Sequence, residues 1–391
     1  MKAKPPAITE MPLLAAPKRA YLVQWLVLAV ALLLLGAQLI YDQYQTRQRI
    51  EKEAISRLEN HSLVVVEEIE RRLNSINVVL EQLRETVAVQ LTHSSGKAIV
   101  TRELTTLTQA LEGVRTLSVF DVSGTMIVSN RSELVGKNFA QREYFQTVLN
   151  NPNADVLYLS EPFITVLGVY TMTAGRMVLG PLGEFAGMVT ATVDSESLGQ
   201  LLKSIHAGKE TSLSITHGIG KLLVLVPERK SAPPGFLISS PESFFQRHVN
   251  SRQMASLMTG MSSTVGAERL MSMRTVQPAA LHMTKPLIVG AARNLDEVFG
   301  AWQEQTQTRA VLFLLVASLA ALALSFYQRR QYAFDRQIQQ KEVERQRSLL
   351  VLQRFIDHLP GTAYVKDADS RTLMANRGFQ TMLGIDPASM I

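Results

Sequence analysis

Cysteine is absent from the 391 residues, so the chain folds without disulfides and holds no thiolate zinc site. Aromatic residues make up only 6 % of the chain, and no basic stripe is interleaved with them, which excludes a stacking surface for nucleic acid. Paired acids, a nucleophile with its base, and a phosphate-binding glycine loop are all missing. The seven histidines are scattered, and His206 and His217 lack metal-ligand spacing to carboxylates. The turns SG, HGIG and PLGEFAG carry glycine for backbone geometry alone. No catalytic residue, metal or cofactor is therefore expected in these residues.

What the chain does have is two long charge-free apolar runs, Tyr21 to Tyr41 and Ala310 to Gln328. A helix needs roughly 20 apolar residues to cross ~30 Å of hydrocarbon, and each run reaches or nearly reaches that length. Gln24 and Gln38 lie near the ends of the first, and Tyr21, Trp25, Tyr41 and Tyr44, with Trp302, Phe326 and Tyr327, are placed as interfacial anchors. Lys18 and Arg19 precede the first run, and Arg329, Arg330, Arg336 and Lys341 follow the second. The positive-inside rule then puts both termini in the cytoplasm and residues 42–308 outside it, in a multi-pass protein of the cell inner membrane. A cleaved signal peptide is the competing reading of the first run, but that run exceeds the usual apolar length and lacks a clean A-x-A site. The net charge of +6 is partly explained by the cytoplasmic flanks.

From Ile55 through Leu58, Val65, Ile69, Leu73, Ile76, Leu80, Leu83 and Val87, with Ser62 filling one place, apolar residues recur at helical spacing. This is the seam of an amphipathic helix, used for core or dimer contact. A second short helix follows over Lys97 to Glu112. The pattern then turns to strands: RTLSVFD, a Ser-Gly turn and TMIVSN; later VLYLSEPFI, VYTMTAG and GMVTATVD, closed by the helix SLGQLLKSI.

The run FDVSGTMIVSNRSELVGKNFAQREYFQ, then LYLSEPFI, then GPLGEFAGMVTATVD, resembles the membrane-distal module of double Cache domains, the PAS-like extracytoplasmic sensors of bacterial receptors. The match covers roughly residues 45–300, and Arg142-Glu143-Tyr144-Phe145 after Gly136-Lys137-Asn138 is its most specific piece. SLSITHGIGKLLVLVP through PLIVGAARNLDEVFGAW resembles the smaller membrane-proximal module. The resemblance implies a ligand pocket between the distal sheet and the loop bearing the R-x-Y-F helix, with Arg142 facing the ligand. Tyr144 belongs to the same motif, and Tyr158, Ser160, Tyr170 and Arg176 are placed as pocket walls by strand alternation. Amino-acid-sensing relatives carry a tyrosine five residues before the arginine and an aspartate on the last strand. This chain has Lys137 and Thr192 there, which favours an anionic ligand such as a carboxylate, or none.

Beyond the second run, Phe334, Ile338, Leu349, Leu352, Ile356 and Leu359 form a coiled-coil-like seam, the mark of a homodimer. The segment FIDHLPGTAYVKDADSRTLMANRGFQTMLGIDPASMI resembles the opening of a cytoplasmic PAS domain, cut short at Ile391. His358 precedes Leu359-Pro360 as some phosphoacceptor histidines do, but stands at the PAS entrance and is read as non-catalytic.

The expected class is α+β. A cytoplasmic tail (1–20) and a first span (21–41) precede a double Cache sensor over 42–308, with its distal module at about 95–205 and its proximal module at about 206–295. A second span (309–328), a helical linker (329–354) and an incomplete PAS domain (355–391) follow. The expected function is a membrane receptor, in contact with the lipid bilayer, that senses a small extracytoplasmic ligand. Its output enzyme is expected beyond Ile391: cyclic-di-GMP synthesis or breakdown, or alternatively a histidine kinase. A ligand-independent membrane scaffold is the reading from another class.

Overall fold

Apolar periodicity along one face builds a 74-residue helix, α1 (Pro17–Gln90), and a second long helix, α6 (Leu295–Asp357), contains the other apolar run. The computed structural model describes residues 17–90, 96–206, 211–262 and 266–384. The N-terminal tail through residue 16 and the end of the last segment, 385–391, lie outside the described residues. The chain divides into two units: residues 42–306, and residues 1–41 with 307–391.

In the unit of residues 42–306, the seam of α1 is core. Leu58, Ser62, Val65, Leu80 and Leu83 are fully buried, and Ile69, Leu73 and Ile76 nearly so. The apolar members pack against the apolar faces of two antiparallel sheets in one continuous cluster, while Ser62 Oγ is hydrogen-bonded to Ser272 Oγ at 2.9 Å. Each such side chain contributes roughly 1.5–3 kcal/mol of burial. The choice between core and dimer contact therefore resolves to core for this stretch, and Leu58 is not available to a partner chain.

The first sheet has the order β2-β1-β6-β5-β3, with β4 also paired to β5. Its strands are β1 (Val114–Asp121), β2 (Met126–Ser129), β3 (Tyr158–Leu159), β4 (Phe163–Ile164), β5 (Tyr170–Leu179) and β6 (Phe185–Asp194). Helix α2 (Gly96–Ala110) precedes it, α3 (Glu143–Asn150) lies between β2 and β3, and α4 (Ser195–Ile205) follows β6. The second sheet has the order β8-β7-β11-β10-β9. It comprises β7 (Thr211–His217), β8 (Leu222–Val226), β9 (Ala255–Met261), β10 (Glu268–Val276) and β11 (Leu287–Asn294), with α5 (Phe244–Ser251) after β8. Each sheet thus repeats one plan: a hairpin, a helix, then returning strands that place the last strand beside the first. The sheets are joined by Lys221 Nζ to Glu161 at 2.7 Å and by the Leu159 amide, which donates to Thr284 Oγ1 at 3.0 Å.

In the other unit the apolar stretches of α1 and α6 are long and apolar enough to cross a membrane, and neither apolar window is buried within the chain. A core helix would be buried. Trp25 Nε1 donates to Gln328 Oε1 at 3.1 Å and Gln328 Nε2 donates to Gln24 Oε1 at 2.9 Å. The glutamines of the two runs therefore satisfy one another, as polar groups in an apolar medium must. Strands β12 (Tyr364–Lys366) and β13 (Thr372–Ala375) form an antiparallel pair, and α7 (Arg377–Leu383) follows.

Candidate functional site

The loop that carries Arg142 is pinned to the β1–β2 turn by backbone and amide hydrogen bonds. The Phe139 amide donates to Gly124 O at 2.8 Å, the Met126 amide to Lys137 O at 2.9 Å, and Asn138 Nδ2 to Ser123 O at 2.9 Å. Gly124 has φ +80°, and a Cβ there would come within 2.7 Å of the Ala140 backbone. Only glycine allows this close approach without strain. The pinned loop delivers Arg142 to the position before the first turn of α3, where its side chain makes no capping hydrogen bond. The guanidinium instead stacks over the Phe163 ring, 5.6 Å from its centroid, and Tyr144 stacks on the same residue at 5.4 Å.

Beneath this loop the sheet presents hydroxyls rather than apolar groups. Thr116 on β1 pairs with Thr192 on β6, which pairs with Thr173 on β5; Ser118 pairs with Thr190 in the adjacent row. Because side chains alternate along a strand, all five point to one face. Between this floor and the loop lies a cavity with about 50 Å³ open to the centre of a water-sized sphere. Each such sphere needs roughly 10–15 Å³, so several waters or a small organic ion would fit.

The cavity is cationic. Arg142 and Arg115 line it, and no aspartate or glutamate does. The Arg142 guanidinium forms no hydrogen bond or ion pair with any described residue, and the buried Nε of Arg115 has no hydrogen-bond partner among them. Burial pushes the Tyr144 hydroxyl up to about 12, against the opposing effect of Arg142. At neutral pH it is therefore a neutral donor at the cavity wall. Two guanidinium forks, hydroxyl donors and no competing acid are the chemistry of an oxyanion site.

Of the expected wall residues, only Arg142 and Tyr144 line the cavity. Tyr158 is buried among the aromatic cluster under α3, and its hydroxyl donates to Asn151 O. Ser160 Oγ accepts from the Thr173 amide at 2.9 Å and donates to Glu161 O. The Tyr170 hydroxyl donates to Leu222 O of the second sheet at 3.1 Å. Arg176 lies on the opposite face of β5, with Nε donating to Asn77 Oδ1 at 2.6 Å and a terminal nitrogen 3.1 Å from Glu81. Even-numbered residues of β5 face α1 while Thr173 faces the cavity, so the alternation was taken one residue out of phase. Lys137 is exposed and turned away, whereas Thr192 is on the cavity floor. Thr192 is where the resemblance placed it, while Arg115, Thr116, Ser118, Thr173 and Thr190 also line the cavity and were not expected there. Their signal was Thr116, Ser118, Thr190 and Thr192, polar residues at period two inside otherwise apolar strands. Among the described residues no acid and histidine cluster could hold a metal.

No protein-family model and no curated protein matches this sequence. Among solved structures, it is similar to an extracellular domain assigned to a histidine kinase, rpHK1S-Z16, at 21 % identity and a TM-score of 0.55, covering 64 % of this chain and 98 % of that one. The periplasmic sensory domain of the Campylobacter jejuni chemoreceptor Tlp1 matches at 10 % identity and a TM-score of 0.52, with 64 % and 98 % covered. Residues 42–306 share the fold of these two domains. At these identities the likeness speaks to fold alone.

Proposed function

We propose that this chain is the sensory part of a two-span membrane receptor, with residues 42–308 outside the cytoplasm as a double Cache sensor. The distal cavity binds a small organic anion, with a carboxylate as the best match. The observation that carries this reading is the pairing of Arg142 and Arg115 over a hydroxyl floor that no acidic side chain neutralises. Both guanidinium groups are half-buried, and a bound carboxylate would pair with them as a charge-assisted hydrogen-bond acceptor while bridging the loop before α3 to β1 and β6. The same open space argues against a ligand-independent scaffold, whose sheet would be packed shut.

In this reading the ligand's contacts alter the packing of the distal sheet on α1, and the change passes through helices that favour discrete arrangements. Residues 329–354 form a linker, and the segment from 355 begins a PAS domain that feeds an output module. The resemblance favours cyclic-di-GMP turnover, with a histidine kinase as the alternative. The exposed seam of Phe334, Ile338, Leu349 and Leu352 on α6 supports a parallel homodimer.

Thermal-shift screening of the detergent-solubilised chain against organic acids and amines tests the site. Stabilisation by carboxylates and none by simple amines is expected; the reverse preference would defeat the reading. Periplasmic reporter fusions should be active near residue 200 and silent after residue 335, and the opposite pattern would overturn the topology.

A further inference from the structure

The second sheet repeats the strand order of the first, and it also has a cavity at the corresponding place, beside α5 and the chain leading into it. About 70 Å³ there is open to the centre of a water-sized sphere. Its floor carries Ser212 and Ser214 of β7, in register with Ala292 and Gly290 of β11. Ala292 on that central strand leaves room above the sheet, while the space over Gly290 is taken by the Met271 and Ser214 side chains; the first sheet fills the matching strand with threonines. No aspartate or glutamate lines this cavity.

Its one charged lining residue is Arg269, which is only 5 % exposed. Nε donates to Asn294 Oδ1 at 2.7 Å and a terminal nitrogen donates to Ser212 Oγ at 2.7 Å. Both partners are neutral, and no carboxylate of a described residue forms an ion pair with it. Burial lowers its pKa and the neighbouring Arg229 lowers it further, against the opposing pull of Glu297, which accepts from Asn294 Nδ2 at 2.9 Å. The buried Nε of Arg229 has no hydrogen-bond partner among the described residues. A guanidinium this deeply buried is costly unless an anion bonds to it directly, and Glu297 is linked to it through Asn294 without forming an ion pair. Opposite the cation the wall is apolar, made by Phe236, Phe244, Phe245 and Met273.

We propose that the membrane-proximal sheet holds a second, independent binding site for a short aliphatic monocarboxylate, with Arg269 holding the carboxylate and the phenylalanine wall covering the tail. The planar guanidinium suits a carboxylate, and the apolar wall rejects a second charge, which separates this site from the more polar distal cavity. Its occupancy would stiffen the sheet whose last strand, β11, leads into α6.

The test uses the full chain in detergent with propionate as the probe, titrated by calorimetry in an Arg142→Ala background so that the distal cavity does not contribute. This variant should still take up propionate. Adding Arg269→Gln should weaken uptake by about tenfold or more, the loss of at least one charge-assisted contact. Adding Ala292→Ile instead keeps the cation, suits a strand and fills the cavity; it should abolish uptake while circular dichroism stays native, and it decides the matter if the glutamine variant does not fold. Absence of propionate uptake in the Arg142→Ala chain, or uptake that survives Ala292→Ile, would overturn the second site. Loss of carboxylate binding by the native chain on Arg142→Ala speaks only to the distal reading.

Discussion

Arg176 on β5 donates its Nε–H to Asn77 Oδ1 on α1 over 2.6 Å, and thereby ties the back of the distal sheet to the helix on which both sheets pack. The same guanidinium donates to Ala154 O at 2.9 Å and pairs with Glu81. These bonds account for Arg176 as an internal strut with its charge already matched, in contrast to Arg142. Substituting Arg176→Ala leaves the buried Asn77 Oδ1 without its donor and should cost about 1–3 kcal/mol of stability. Carboxylate affinity should change little, because the cavity is on the other face of β5. Chemical denaturation alongside calorimetry checks both; intact stability with lost binding would return Arg176 to the site.

Thr192 stands at the centre of the distal floor, paired with Thr116 and Thr173. Replacing it by aspartate puts a fixed anion where the ligand's charge would sit, within a cavity holding two guanidinium groups. Thr192→Asp should weaken carboxylate binding by at least about tenfold, since like charges in a shared site repel. Unchanged affinity measured by titration would move the anion elsewhere.

The burial of α1 and the exposure of α6 separate two predictions about association. Leu58 is fully buried within its own chain, while Leu349 is 51 % exposed. Under oxidising conditions a cysteine at Leu349 should crosslink between chains and one at Leu58 should not. Leu58→Ala should instead destabilise the unit of residues 42–306 by about 2–5 kcal/mol, as cavity-forming core substitutions do. A monomeric Leu349→Cys protein would remove the dimer.

His217, fully buried at the end of β7, gives the fold a pH dependence. Burial lowers its pKa to about 4 from 6.5, against the opposing pull of Glu161. Because the folded value is depressed for a base, the unfolded chain binds the extra proton between pH 6.5 and 4. Stability from this group is complete above about pH 6.5, declines as pH falls, and is lost by roughly 3 kcal/mol below about pH 4. A His217→Gln chain should show a flatter stability profile across that window, read by denaturation at pH 7, 5.5 and 4.5. Equal slopes in both proteins would exclude His217.

Much of the fold was legible because its signals are local. The α1 seam from Leu58 to Val87, the Ser-Gly turn before TMIVSN and the charge-free runs each follow from periodicity or turn chemistry within a few residues. The site was legible only where one side chain sat in a distinctive motif, as Arg142 and Tyr144 do. Its floor depends on which residues of β1, β5 and β6 stand opposite one another, a register that no single strand encodes. The placement of Tyr170 and Arg176 differs for that reason, and Arg115 stands in no motif that would mark it. The second cavity was hidden for a related reason: Arg269 meets Ser212 and Asn294 only when three strands are assembled.

The central claim is that Arg142 holds a carboxylate in the distal cavity. Calorimetric titration of the native chain and of Arg142→Ala with a carboxylate found by thermal-shift screening tests it most directly. Removing one partner of a charge pair that the bound ligand closes over should cost roughly 2–5 kcal/mol of binding, with the melting temperature of the unliganded protein nearly unchanged because the Arg142 guanidinium bonds to no described residue. Equal affinity in the two proteins would contradict the account, as would an Arg142→Ala chain that unfolds without ligand.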